Sequence, residues 1–139
     1  MKKMIAITLT VFTLFACILP ASAAQTPTVE PLYDNATIAS VSLSIASSGK
    51  ATVKITLQGK STLRSTSVTT YLEKKVGTQW VRVDIDAAGD AWQYSTTSRA
   101  FQKIYSTTLS SSGQYRAVAT FTLTGSTTET VTVNDTATY

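Results

Sequence analysis

The stretch Val41-Ser42-Leu43-Ser44-Ile45-Ala46-Ser47-Ser48-Gly49-Lys50-Ala51-Thr52-Val53-Lys54-Ile55-Thr56-Leu57 decides the fold. Apolar and polar residues alternate on both sides of Ser47-Ser48-Gly49. A strand turns successive side chains to opposite faces, so Val41, Leu43 and Ile45 share one face and Ser40, Ser42 and Ser44 the other. The same parity groups Ala51, Val53, Ile55 and Leu57 against Thr52, Lys54, Thr56 and Gln58. The two runs read as adjacent half-buried strands joined by a turn.

The pattern continues towards the C-terminus. Gly59 to Arg64 is a loop, and Val68, Thr70 and Leu72 mark a third strand through Lys75. Gly77-Thr78 turns into a strand from Trp80 to Asp86, with Val81, Val83 and Ile85 on one side. Ala87 to Ser98 reads as a polar loop carrying Gly89, Trp92 and Tyr94. Phe101 to Leu109 is a less regular strand. After Gly113 comes a long strand with Tyr115, Ala117, Ala119, Phe121 and Leu123 on one face. Gly125-Ser126 turns into a last strand through Val131 and Val133. No helical period occurs. The expectation is an all-β, two-sheet β-sandwich of about seven strands.

Ser and Thr supply about a third of the residues after Ala23, far above ordinary usage. They alternate with apolar residues instead of running together, which favours strands over a disordered stalk.

The N-terminus has a different composition. Lys2 and Lys3 precede an apolar run from Met4 to Leu19, Pro20 breaks it, and Ala21-Ser22-Ala23 supplies the small residues of a cleavage site. This is the pattern of a secretory signal peptide. The expected organisation is a signal peptide over 1–23, an extended leader over 24–36 and the sandwich over 37–139. The protein is then secreted, without stable membrane insertion after cleavage. A minor alternative is a lipid anchor on Cys17, because Leu14-Phe15-Ala16-Cys17 loosely resembles a lipoprotein box.

Removal of that segment changes the chemistry available. Cys17 is the one cysteine, and the chain has no histidine. The mature protein would lack disulfides, a thiol nucleophile and the common catalytic triads. Without Lys2 and Lys3, the 12 Lys and Arg become 10 against 8 Asp and Glu, a net of +2. Those cations are scattered, so nucleic-acid binding is not expected.

Two clusters remain as candidate sites. Asp84, Asp86 and Asp90 bring three carboxylates near a Gly89 turn, and hard oxygen ligands at that density suit Ca²⁺. Trp92 and Tyr94, with Trp80, offer an aromatic platform for a sugar or a protein. The competing reading packs Trp80 on the core and uses Trp92 to close a sandwich edge.

Ser111-Ser112-Gly113-Gln114-Tyr115-Arg116-Ala117 resembles the E–F corner of immunoglobulin-like domains. In those domains a tyrosine two residues before the second cysteine bonds back to upstream backbone. By that resemblance Tyr115 and Gly113 form a structural corner, with Ala117 where the cysteine would be. Leu43 to Gly49, Leu72-Glu73-Lys74-Lys75-Val76-Gly77-Thr78-Gln79-Trp80, Gly113-Gln114-Tyr115-Arg116 and Glu129-Thr130 carry a wider likeness. Together they resemble small secreted proteins of Gram-positive bacteria, each a single immunoglobulin-like β-sandwich with no assigned activity. The resemblance implies a fold and a compartment, and no mechanism.

The functional expectation is a non-enzymatic extracellular module that binds a protein or glycan without a cofactor. It would be a monomer or weakly self-associating. The alternative is a structural or envelope-associated protein without a discrete site. An enzyme would have to use the Asp84/Asp86 pair or a chance Ser/Lys pair.

Overall fold

Alternation of small apolar and β-branched polar residues builds strands throughout the computed structural model, which describes residues 32–139. The expected signal peptide, Cys17 within it and the leader as far as Pro31 lie outside the described residues. The strands are β1 (Ala36–Ile45), β2 (Lys50–Gly59), β3 (Ser65–Val76), β4 (Gln79–Arg82), β5 (Trp92–Thr96), β6 (Ala100–Thr108), β7 (Gln114–Thr124) and β8 (Thr128–Thr138). One sheet has three strands in the order β1-β2-β6. The other has five, ordered β4-β3-β7-β8, with β5 also on β3. Every pairing is antiparallel. Among the described residues no helix is long and apolar enough to cross a membrane.

The fourth and fifth strands correct the sequence expectation. The strand expected over Trp80 to Asp86 ends at Arg82, and the polar loop expected over Ala87 to Ser98 contains β5. Both segments lie on one edge of β3. Arg82 pairs with Glu73, the Val83 amide donates to the Leu72 carbonyl at 3.0 Å, and Trp92 pairs with Thr70. They are therefore one edge strand interrupted by an excursion at residues 84–90. The sequence obscured this because Ala87-Ala88-Gly89-Asp90 reads as loop, while Trp92, Tyr94 and Thr96 already alternate with Gln93 and Ser95. β1 also begins earlier than the first regular alternation, at Ala36.

The inner faces pack into one layer. Ala39 and Leu43 of β1 and Val53, Ile55 and Leu57 of β2 face Val68 and Leu72 of β3 and Ala117, Ala119, Phe121 and Leu123 of β7. Phe121, Ile55, Leu57, Leu72 and Leu123 are fully buried. Each such side chain contributes about 1.5–3 kcal/mol of transfer free energy. Ile85, 3% exposed, turns back from the excursion into this layer and anchors it.

Gly49 closes the β1–β2 turn at φ +82°, donating its amide to the Ala46 carbonyl at 2.9 Å. A Cβ there would meet the Leu109 carbonyl and the Tyr139 ring, each at 3.0 Å. Only glycine combines that backbone angle with that approach.

The two open edges of the sandwich are closed differently. Along β1 and β8, carboxylates of β8 accept β1-side amides: Asp135 Oδ2 from Leu43 at 2.8 Å, and Glu129 from Asp34 and Asn35 at 3.2 and 3.1 Å. Along β5 and β6 the closure is aromatic. These devices occupy edge groups that would otherwise template another strand.

Candidate binding face on the five-stranded sheet

The parity that turns Val68, Thr70 and Leu72 inward turns Ser65, Ser67, Thr69, Tyr71, Glu73 and Lys75 of β3 outward. On the neighbouring strands it turns Trp80 and Arg82 of β4, and Arg116, Thr120, Thr122 and Thr124 of β7, to the same outer face. That face has two halves.

Cations stacked on aromatic rings make up the first half. The Arg82 guanidinium lies 3.4 Å from the centroid of the Tyr71 ring. Arg116 lies 4.5 Å from the Trp80 ring, and Lys75 sits 5.9 Å from the same ring. Arg116 Nε also donates to Glu73 Oε2 at 2.5 Å. A surface ion pair of this kind contributes about 0–1 kcal/mol, so its main effect is to fix the guanidinium over the indole. Val118, the outward cross-strand partner of Tyr71, is only 5% exposed.

Hydroxyls form the second half, set in rows by the strand register. Ser65, Thr124 and Thr128 align across β3, β7 and β8. The next row is Ser95, Ser67, Thr122 and Thr130, and the third is Gln93, Thr69, Thr120 and Thr132. Thr120 and Thr132 share a hydrogen bond at 3.2 Å. A shallow depression of 380 Å³ opens over the first two rows, between β5, β3 and β7.

The aromatic residues singled out from sequence divide between two places. Trp92 and Tyr94 lie on the inward side of β5, not in a loop. Trp92 stacks on Tyr105 of β6 with centroids 4.9 Å apart and planes 2° apart. Tyr94 meets Phe101 edge-on at 5.0 Å, and Lys103 Nζ lies 4.4 Å from its ring. These side chains seal an edge. Trp80 is on the outer face, away from the core.

Asp84, Asp86 and Asp90 do not converge. Among the described residues no group of three acidic, histidine or cysteine side chains is arranged to hold a metal. Asp84 Oδ1 instead accepts the Asp86 amide at 3.3 Å, and the Asp90 carbonyl accepts from Arg82 at 3.4 Å. Asp86 and Asp90 both take φ +52° within the excursion. Asp tolerates that left-handed conformation because its short polar side chain bonds locally.

At the other end, Tyr115 Oη donates to the Ser111 carbonyl at 2.5 Å. Lys74 Nζ donates to Ser111 Oγ at 2.7 Å and lies over the Tyr115 ring. Gly113, at φ +146°, exchanges backbone bonds with Tyr139 at 3.0 and 2.9 Å. A Cβ on it would meet Lys74 Cε at 2.8 Å. Tyr115 and Gly113 thus pin the β6–β7 connection.

Burial against the core, with a smaller contribution from Tyr94, raises Tyr105 above the usual tyrosine value.

Sequence reading overlooked Tyr71, Arg82, Arg116 and the hydroxyl rows. The signal for part of this was present, because the alternation that turns Ile85 inward turns Trp80 and Arg82 outward. The rows depend on register across three strands, which alternation within one strand does not specify. Comparison with family models, with curated proteins and with solved structures finds no match for this chain.

Proposed function

We propose that the chain is a secreted, non-enzymatic immunoglobulin-like module that binds a protein or glycan outside the cell through the outer face of its five-stranded sheet. The observation that carries this is the position of Trp80 and Tyr71. Both rings lie on the solvent side of the sheet and are held there by Arg116 and Arg82. Partly exposed aromatics beside arginines are the composition of binding hot spots.

Support for the immunoglobulin-like part comes from the division of strands into β1-β2-β6 and β4-β3-β7-β8, and from the Tyr115 bond to the Ser111 carbonyl. Secretion draws its support from the sequence of residues 1–23.

The test is a glycan array and a panel of extracellular proteins, probed with the wild type and a Trp80→Ala/Arg82→Ala variant. A ligand whose binding falls at least tenfold in the variant supports the proposal. Absence of any ligand, or binding that ignores both substitutions, contradicts it and leaves the structural, site-free alternative.

A further inference from the structure

The hydroxyl half of the outer face extends this proposal and rests on it. We propose that the depression between β5, β3 and β7 binds a neutral, linear polysaccharide, specifically a glucan chain lying across the serine and threonine rows towards Tyr71.

The chemistry of the lining selects this class. The outward side chains are Ser65, Ser67, Ser95, Thr97, Thr122 and Thr124. None carries a charge. A polyanion would require arginine or lysine donors, and a divalent cation would require carboxylate or carbonyl oxygens. A protein partner would require an apolar anchor at the centre of the patch, and the depression has no large apolar side chain. Hydroxyls that each donate one hydrogen bond and accept two match a neutral polyol. Among the described residues these six hydroxyls have no protein hydrogen-bond partner, in contrast to Thr120 and Thr132. Their bonding capacity faces outward.

Periodicity argues for a polymer. The register repeats hydroxyls about 4.8 Å apart across strands and about 6.7 Å apart along them. A ligand with repeating hydroxyls can meet several positions at once, whereas a small molecule meets few. The volume of 380 Å³ lies within the roughly 300–1,000 Å³ typical of ligand sites. The next outward residue on β3 after Thr69 is Tyr71, whose ring carries the Arg82 guanidinium and marks the end of the hydroxyl rows.

The experiment is titration calorimetry of the protein with a soluble neutral β-glucan, soluble amylose and polygalacturonate, each at low and high salt. The test variant is Ser65→Ala/Ser67→Ala/Thr122→Val/Thr124→Val, which removes hydroxyls while keeping size and strand preference. The expected result is binding of a neutral glucan, unchanged by salt, and at least tenfold weaker in the variant. If the fourfold variant does not fold, Ser95→Arg on the edge strand blocks the depression and must weaken binding as much. Failure to bind either neutral glucan, binding restricted to polygalacturonate, or binding indifferent to these substitutions overturns the inference. Failure of both neutral glucans, with a protein ligand that is lost in Trp80→Ala/Arg82→Ala, would overturn it while sustaining the broader function. Loss of every ligand class would overturn both.

Discussion

Trp92 of β5 and Tyr105 of β6 stack with their rings 4.9 Å apart and 2° from parallel, although the two strands belong to different sheets. The pair joins the sheets along an edge where no backbone hydrogen bonds can do so. Trp92 therefore belongs to the fold, whereas Trp80 lies on the outer face beside Arg116 and Lys75.

This division has a stability consequence. Trp92→Ala removes the stack and the packing beneath it and should cost about 2–4 kcal/mol. Trp80→Ala removes a ring from the outer face and should cost under about 1 kcal/mol. Urea unfolding of both variants checks the contrast. Equal losses would contradict the assignment of the two tryptophans.

Tyr115→Phe keeps the ring and deletes its hydroxyl bond to Ser111. Loss of this part-buried hydrogen bond should reduce stability by about 0.5–1.5 kcal/mol, with no change in the denaturant slope. Equilibrium denaturation measures both quantities.

Thr70 is buried on β3, and its hydroxyl has no hydrogen-bond partner among the described residues. An unsatisfied buried hydroxyl destabilises the native state, whereas valine has nearly the same shape. Thr70→Val should raise stability by about 1 kcal/mol, read as a higher unfolding midpoint. Thr66, buried and unpartnered in the same way, should respond similarly.

Alkaline stability should depend on Tyr105. Its pKa is raised in the folded state, mainly by burial, above the usual tyrosine value of about 10. Below pH 10 both states are protonated and the group has no effect. As pH rises further, the unfolded chain loses its proton first, so the unfolded state gains and stability falls. Tyr105→Phe should flatten the decline in unfolding midpoint above pH 10. An unchanged alkaline decline would contradict this.

The Asp135 bond to the Leu43 amide predicts a local effect. Asp135→Ala should accelerate hydrogen exchange at Leu43 by tenfold or more while the β2–β3 region remains protected. That is the expected signature of an opened edge rather than global unfolding.

Much of the fold was legible because alternation specifies faces directly. Val53, Ile55 and Leu57, and Ala117, Ala119, Phe121 and Leu123, were assignable to a buried face from parity alone. β5 was not, because its five residues follow an alanine-glycine turn and carry three polar side chains. The three aspartates illustrate the limit of spacing along the chain. Spacing brings Asp84, Asp86 and Asp90 together in sequence, but among the described residues no group of three such side chains is arranged to hold a metal. The hydroxyl rows need the β3–β7–β8 register, which is set by long-range pairing.

The most direct test is amide NMR of the isotopically labelled protein titrated with a soluble neutral β-glucan. If the outer face of the five-stranded sheet is the working surface, shift changes will concentrate at Ser65, Ser67, Ser95, Thr122 and Thr124 and extend to Tyr71 and Trp80. Changes centred on the opposite face, around Lys54 and Ile104, or no changes at millimolar glucan, would contradict it.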